Sequence, residues 1–91
     1  MQTWLYRIER ALSVLGGRAA LSAIYGEVER DGFGGLTKRW RATVRNTIER
    51  HSSDSANWNP NQPDVFYSVD GLGSGTWGLR RAMLVMTLDD L

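Results

Sequence analysis

The stretch TKRWRATVRNTIERHS, Thr37 to Ser52, reads as one amphipathic helix with Thr37 at its N-cap. At about 100° per residue, Trp40, Val44 and Ile48 share one apolar face, with Leu36 at its margin. Arg39, Ala42 and Asn46 fall on the opposite side, flanked by Lys38, Thr43, Arg45 and Arg50. The outer face thus mixes long cations with short polar or small side chains. A helix in a DNA major groove needs this mixture. Arg pairs with guanine edges or phosphates, Asn pairs bidentately with adenine, and Ala or Thr contacts a methyl group. An ordinary solvated helix surface has a similar composition, so the elements around this helix decide between the two.

The charge of the chain is concentrated on the same segment. Its 91 residues carry 11 Lys+Arg and 10 Asp+Glu, a net charge of only +1. Residues 1–36 are neutral in sum. Residues 37–59 hold Lys38, Arg39, Arg41, Arg45 and Arg50 against Glu49 and Asp54, a net of +3. Residues 60–91 hold Arg80 and Arg81 against four aspartates, a net of −2. A local cluster of this kind points to an anionic partner. Other classes are excluded. Cysteine is absent, which removes disulfide frameworks, Cys zinc sites and thiol nucleophiles. One histidine cannot build a multi-His metal site. No apolar run approaches the roughly 20 residues that span a bilayer. The N-terminus MQTWLYRIER lacks the apolar stretch of a signal peptide. The default for such a composition is a soluble, cytoplasmic domain without cofactor or metal.

Outward from the central helix, the order of elements gives the fold. Trp4, Leu5, Ile8, Ala11, Leu12 and Leu15 recur at helical spacing, and Gly16-Gly17 stops that helix. Arg18-Ala19-Ala20 is a short extended link. Ser22 is a candidate cap for a second helix with Ile24, Tyr25 and Val28 inward, and Asp31 to Gly35 forms a turn-rich loop. After the central helix, Ser53 to Pro63 is a polar loop. Val65 to Val69 has strand composition, Asp70 to Gly75 reads as a hairpin tip, and Thr76 to Arg80 returns. Three helices closed by a hairpin make an α+β winged helix over residues 1–80. Residues 81–91 are left as an apolar tail or short helix, a candidate for partner docking.

Several residues invite chemistry. His51 lies toward the core side of the central helix and reads as a buried or capping histidine. Ser52-Ser53-Asp54-Ser55 beside it does not make a catalytic triad, because triads assemble from separated elements. The segment reads as a helix-ending turn, and Ser52, Ser53 and Ser55 are also candidate phosphate donors. Trp4, Trp40 and Trp77 sit on apolar faces. Trp58, between Asn57 and Asn59, either folds onto the edge of the core or offers a stacking platform. The glycines at 71, 73, 75 and 78 lack the lysine and helix of a phosphate loop. They suit a wing tip where Ser74 and backbone amides approach a phosphate.

From Ala11 to Arg80 the chain resembles the winged-helix domains attached to restriction endonucleases and related DNA-processing proteins, and it is similar to the HARE type of helix-turn-helix domain. The resemblance rests on Leu15-Gly16-Gly17, Ile24-Tyr25 with Val28, and Thr37, Trp40, Val44-Arg45, Ile48. It continues through His51-Ser52-Ser53-Asp54-Ser55, Asp64-Val65-Phe66 and Thr76-Trp77-Gly78-Leu79-Arg80. It implies double-stranded DNA binding, recognition of modified DNA including N6-methyladenine, and a separate nuclease domain that the reader directs, as in restriction-modification systems. No acidic–acidic–lysine nuclease constellation is present in these residues. The start of a helix pattern at Thr3–Trp4 suits a domain excised from a longer enzyme, and a stand-alone reader is the other possibility.

The expectation is therefore a non-catalytic DNA-binding domain. Arg39, Arg45 and Asn46, with Ala42 and Thr43 beside them, would approach bases or phosphates. Lys38, Arg41 and Arg50 would contact phosphates, as would Ser52, Ser53 and Ser55 at the helix end and Ser74 from the wing. Trp58 stands at the margin of this set. The alternative is a winged-helix adaptor for protein interaction or dimerisation.

Overall fold

The computed structural model describes residues 3–71 and 73–81. Among them, α1 (Trp4–Val14), β1 (Arg18–Ala20), α2 (Leu21–Arg30), α3 (Trp40–Arg50), β2 (Phe66–Ser68) and β3 (Thr76–Leu79) follow in that order. The apolar tail from Ala82 onward lies outside the described residues.

Local chemistry sets the element ends. Thr3 Oγ1 accepts the Tyr6 N–H at 3.1 Å and caps α1. The helix stops where Gly16 and Gly17 adopt φ of 93° and 98°, and the Gly17 N–H returns to the Leu12 carbonyl at 2.8 Å. Glycine reaches that conformation without steric cost. Ser22 does not cap α2. The chain passes from β1 directly into the helix, and the Leu21 N–H donates to the Gly75 carbonyl of the hairpin at 2.8 Å. Neither does Thr37 cap α3: residues 37–40 form a turn in which the Thr37 carbonyl accepts the Trp40 N–H at 3.2 Å, and the N-cap position falls on Arg39 with no side-chain bond. Leu36 therefore precedes the helix and is exposed rather than on its core face.

The sheet order is β1-β3-β2, antiparallel throughout. Arg18, Ala19 and Ala20 pair with Gly78, Trp77 and Thr76, while Phe66, Tyr67 and Ser68 pair with Leu79, Gly78 and Trp77. Three helices on a small antiparallel sheet, with β2 and β3 as a hairpin and β1 on the far edge of β3, form an α+β winged helix. The core takes Ile8, Ala11 and Leu12 from α1, Ile24 and Val28 from α2, and Trp40, Val44 and Ile48 from α3. Phe66, Trp77 and Leu79 complete it from the sheet. Gly78 has a steric reason: the Tyr67 ring lies across it, and a Cβ there would stand 2.5 Å from Tyr67 Cε1.

A buried ion pair holds the approach to α3. Arg7 of α1 meets Asp31 with Nε–Oδ2 2.8 Å and Nη2–Oδ1 3.0 Å, and its Nη1 donates to the Gly34 carbonyl at 2.8 Å. The guanidinium lies 4.5 Å from the Trp4 ring centroid. The two side chains are only 5% and 1% exposed. This bidentate pair ties α1 to the loop between α2 and α3. Burial alone would raise the Asp31 carboxyl. Hydrogen bonds from Arg7 and the Phe33 N–H, with the charges of Arg7 and Arg10, outweigh burial and hold it below 3.8. Its contribution to stability is thus present above the unfolded-state value near 3.8 and is lost as pH falls through the lower folded-state value. Asp31→Asn is expected to destabilise the domain by about 3 kcal/mol at neutral pH, because an uncompensated guanidinium stays buried. Denaturant titrations of wild type and variant should show this gap closing in acid. A gap that persists unchanged below the carboxylate range would contradict the assignment.

Candidate nucleic-acid interface

The inner positions of α3 are used by the core: Trp40, Val44 and Ile48 are buried. Geometry then leaves Arg45, Asn46 and Arg50 exposed on the other side, with Ala42 and Thr43 half-buried at its flank. Lys38 and Arg39 are exposed in the turn that leads into the helix, not within it. Among the described residues, Lys38, Arg39 and Arg50 have no carboxylate within ion-pair distance. Arg45 lies 4.0 Å from Glu49, one turn on. Thr43 Oγ1 donates back to the Arg39 carbonyl at 3.2 Å, so its hydroxyl proton is used within the helix.

Arg41 also has contacts within the domain. Its guanidinium lies over the Trp40 ring at 4.7 Å and near Tyr25 at 5.9 Å, and it reaches Glu29 of α2 at 3.7 Å. Its side chain stays 60% exposed, so it remains open to an outside anion.

The serines separate sharply. Ser52 is fully buried, and its Oγ has no hydrogen-bond partner among the described residues. It cannot reach a phosphate, because the chain after α3 turns under the sheet: the His51 carbonyl accepts the Val65 and Phe66 N–H groups at 2.8 and 3.0 Å. His51 is itself buried, and its Nδ1 donates to the Thr47 carbonyl at 2.7 Å. Ser53 Oγ donates to Asp64 Oδ2 at 2.7 Å and accepts from Arg80 at 3.1 Å. Ser74 Oγ donates to the Val69 carbonyl inside the wing. Ser55 Oγ accepts the Asn57 N–H at 3.0 Å and keeps its own proton available to an outside acceptor. Of the four candidate phosphate-donor serines, Ser55 alone combines an undonated hydroxyl proton with partial exposure among the described residues.

Arg80 explains why the Ser-Ser-Asp segment and the Trp-Gly-Leu-Arg ending occur together. It leaves the end of β3 and contacts Asp54 at 2.6 Å, Asp64 at 2.9 Å and the Phe66 carbonyl at 2.8 Å. Asp54 also accepts the Ser68 N–H of β2 at 2.9 Å. The loop between α3 and β2 is thereby stapled to the hairpin. Its middle is drawn onto the end of α3, where the Asn59 N–H meets the Arg50 carbonyl at 3.1 Å and Asn57 Nδ2 donates to Glu49. Trp58 lies between these two anchors. It is half-buried but is not among the apolar residues packed against the core, in contrast to Trp4, Trp40 and Trp77. Half-burial leaves both readings of Trp58 open, and its backbone neighbour Asn59 ties it to the end of α3.

Two side chains of this face carried no sequence motif. Asn57 and Glu49 become visible only because the loop folds back. The spacing of Arg45 and Glu49 at i and i+4 was the one available signal.

Among the described residues, no group of three or more His, Cys, Asp or Glu is placed to hold a metal ion, and no helix is long and apolar enough to cross a membrane. For Asp64, burial raises the carboxyl, but the bonds from Ser53 and the Arg80 charge prevail and hold it below 3.8. The clamp therefore weakens as pH falls through the folded-state value. Arg80→Ala is expected to cost about 1 kcal/mol, the range of a partly exposed ion-pair network. It should also speed amide exchange at Ser53 and Ser68, whose N–H groups bond Asp64 and Asp54. Unchanged exchange at both amides would contradict a role in holding the loop.

No family model, curated protein or solved structure matches this chain.

Proposed function

We propose that this domain binds double-stranded DNA without catalysing a reaction on it, with α3 in the major groove and the β2–β3 hairpin against the backbone. Its main support is the cationic side of α3 and its leading turn, where Lys38, Arg39 and Arg50 lack carboxylate partners among the described residues and Arg45 and Asn46 are exposed beside them. Arg41, with its exposed guanidinium, and Ser55 and Trp58 of the following loop stay in the proposed contact set. Ser52 is buried, and Ser53 and Ser74 donate inward, so these three leave it. The finer assignment is a target-recognition module for a restriction endonuclease or related enzyme, reading N6-methyladenine and directing a nuclease domain in the same chain or in a partner. It draws on the resemblance of Ala11–Arg80 and on the methyl groups of Ala42 and Thr43 near Asn46.

The adaptor alternative has an observation of its own. Tyr6 and Phe33 are 46% and 44% exposed, with ring centroids 6.3 Å apart. They lie on α1 and in the loop after α2.

Phosphate contacts release counterions, so log K should fall with log salt by about 0.9 per contact. Lys38→Ala is expected to lower that slope by about one and to weaken all duplexes alike. The Arg39→Glu, Arg45→Glu double variant should lose duplex binding while keeping its thermal transition. Fluorescence anisotropy on a labelled duplex measures both, and an affinity that stays flat from low to moderate salt would remove the proposal. An adaptor would be disabled by Tyr6→Ser with Phe33→Ser and indifferent to the charge reversals. For the finer assignment, matched duplexes with and without N6-methyladenine should differ in affinity, and equal binding would eliminate it.

A further inference from the structure

We infer that Glu49 is a positioning residue for base recognition and that Arg45, its ion-pair partner one turn earlier, reads a guanine edge. The inference rests on the duplex-binding proposal and assigns a role within that face.

A carboxylate on a surface meant for a polyanion lowers affinity unless its charge is taken up. Glu49 is in that situation on the outer side of α3, but both its oxygens face partners. Oε1 accepts from Asn57 Nδ2, and Oε2 faces Arg45 Nε at 4.0 Å. Its side chain is only 21% exposed, against 56% for Arg45. Glu49 therefore projects little negative charge outward. At 4.0 Å the Arg45 Nε edge faces this carboxylate without a hydrogen bond, and closing that gap on a duplex would leave the two Nη groups to the base.

A guanidinium that turns its Nε edge to a carboxylate presents a two-pronged donor pair, the shape that matches guanine O6 and N7. Lys38, Arg39 and Arg50 have no such tether among the described residues. Side chains of that kind can follow phosphates but carry no base information. Asn57, whose own N–H is held by Ser55 Oγ at 3.0 Å, fixes the other side of Glu49. The string Arg45–Glu49–Asn57–Ser55 thus links the helix to the stapled loop, and the loop becomes part of the recognition element.

The test uses the whole chain and a randomised duplex pool, with selection of bound sequences by wild type, Glu49→Ala, Arg45→Lys and Asn57→Ala. Wild type is expected to enrich a G·C pair at one position. Glu49→Ala and Arg45→Lys should both lose that preference, on the order of 10-fold in discrimination. Asn57→Ala should weaken it. Binding of Glu49→Ala to a non-selected duplex at low salt should be equal to or tighter than wild type, since one negative charge is gone. A residue that only supported the fold would lower the thermal transition and weaken all sequences together, so a uniform loss overturns the inference. Retention of the wild-type preference by Glu49→Ala also overturns it, as does duplex binding by wild type with no base preference. In those outcomes duplex binding itself survives. A wild type that binds no duplex removes both.

Discussion

β3 is the last strand among the described residues and the middle strand of the sheet, and the rest of the domain is arranged by that constraint. Both its backbone edges must find partners from distant parts of the chain. β1 supplies one and β2 the other. The bonding extends past the strand: the Leu79 N–H reaches the Gly17 carbonyl at 2.8 Å and the Arg80 N–H reaches the Val65 carbonyl at 3.0 Å. Buried backbone groups left without partners are costly. The ends of α1 and α2, the hairpin and the exit from α3 are therefore positioned together, and Trp77 and Leu79 deliver their side chains to the helices.

Arginine illustrates how environment assigns function to one side-chain type. Arg7 is buried, paired and stacked, and it fixes the route into α3. Arg80 neutralises Asp54 and Asp64 and holds the loop that follows α3. Arg41 pairs with Glu29 of α2 at the surface. These pairings consume carboxylates that a charge count would set against the cations of α3. A net charge of +1 thus coexists with a helix side where Lys38, Arg39 and Arg50 face no acid among the described residues. Affinity for an anionic partner depends on that local field and not on the total.

Element order and core were legible because periodicity reports burial directly. Ile8, Leu12, Val44 and Ile48 occupy the faces their spacing assigns. Thr37 and Ser22 look like caps, yet the helices begin elsewhere. Tertiary partners supplied the first turn of α2 with an acceptor, and a turn displaced the start of α3. Ser52, Ser53 and Ser74 illustrate the opposite limit. Composition presents each as an available hydroxyl, whereas one is buried and two donate inward. Nothing in one-dimensional spacing distinguishes a hydroxyl that faces solvent from one facing a carbonyl brought near by folding.

The amphipathic periods, the glycine stops and the hairpin composition were sufficient for an α+β winged helix and for placing a basic helix third. They are local properties, carried by residues within a few turns of one another. The working surface required folding. Glu49 meets Asn57, Asn59 bonds back to Arg50, and Arg80 reaches Asp54, 26 positions earlier. Such contacts depend on where a loop returns, which is set by the central strand and its neighbours rather than by the composition of the loop.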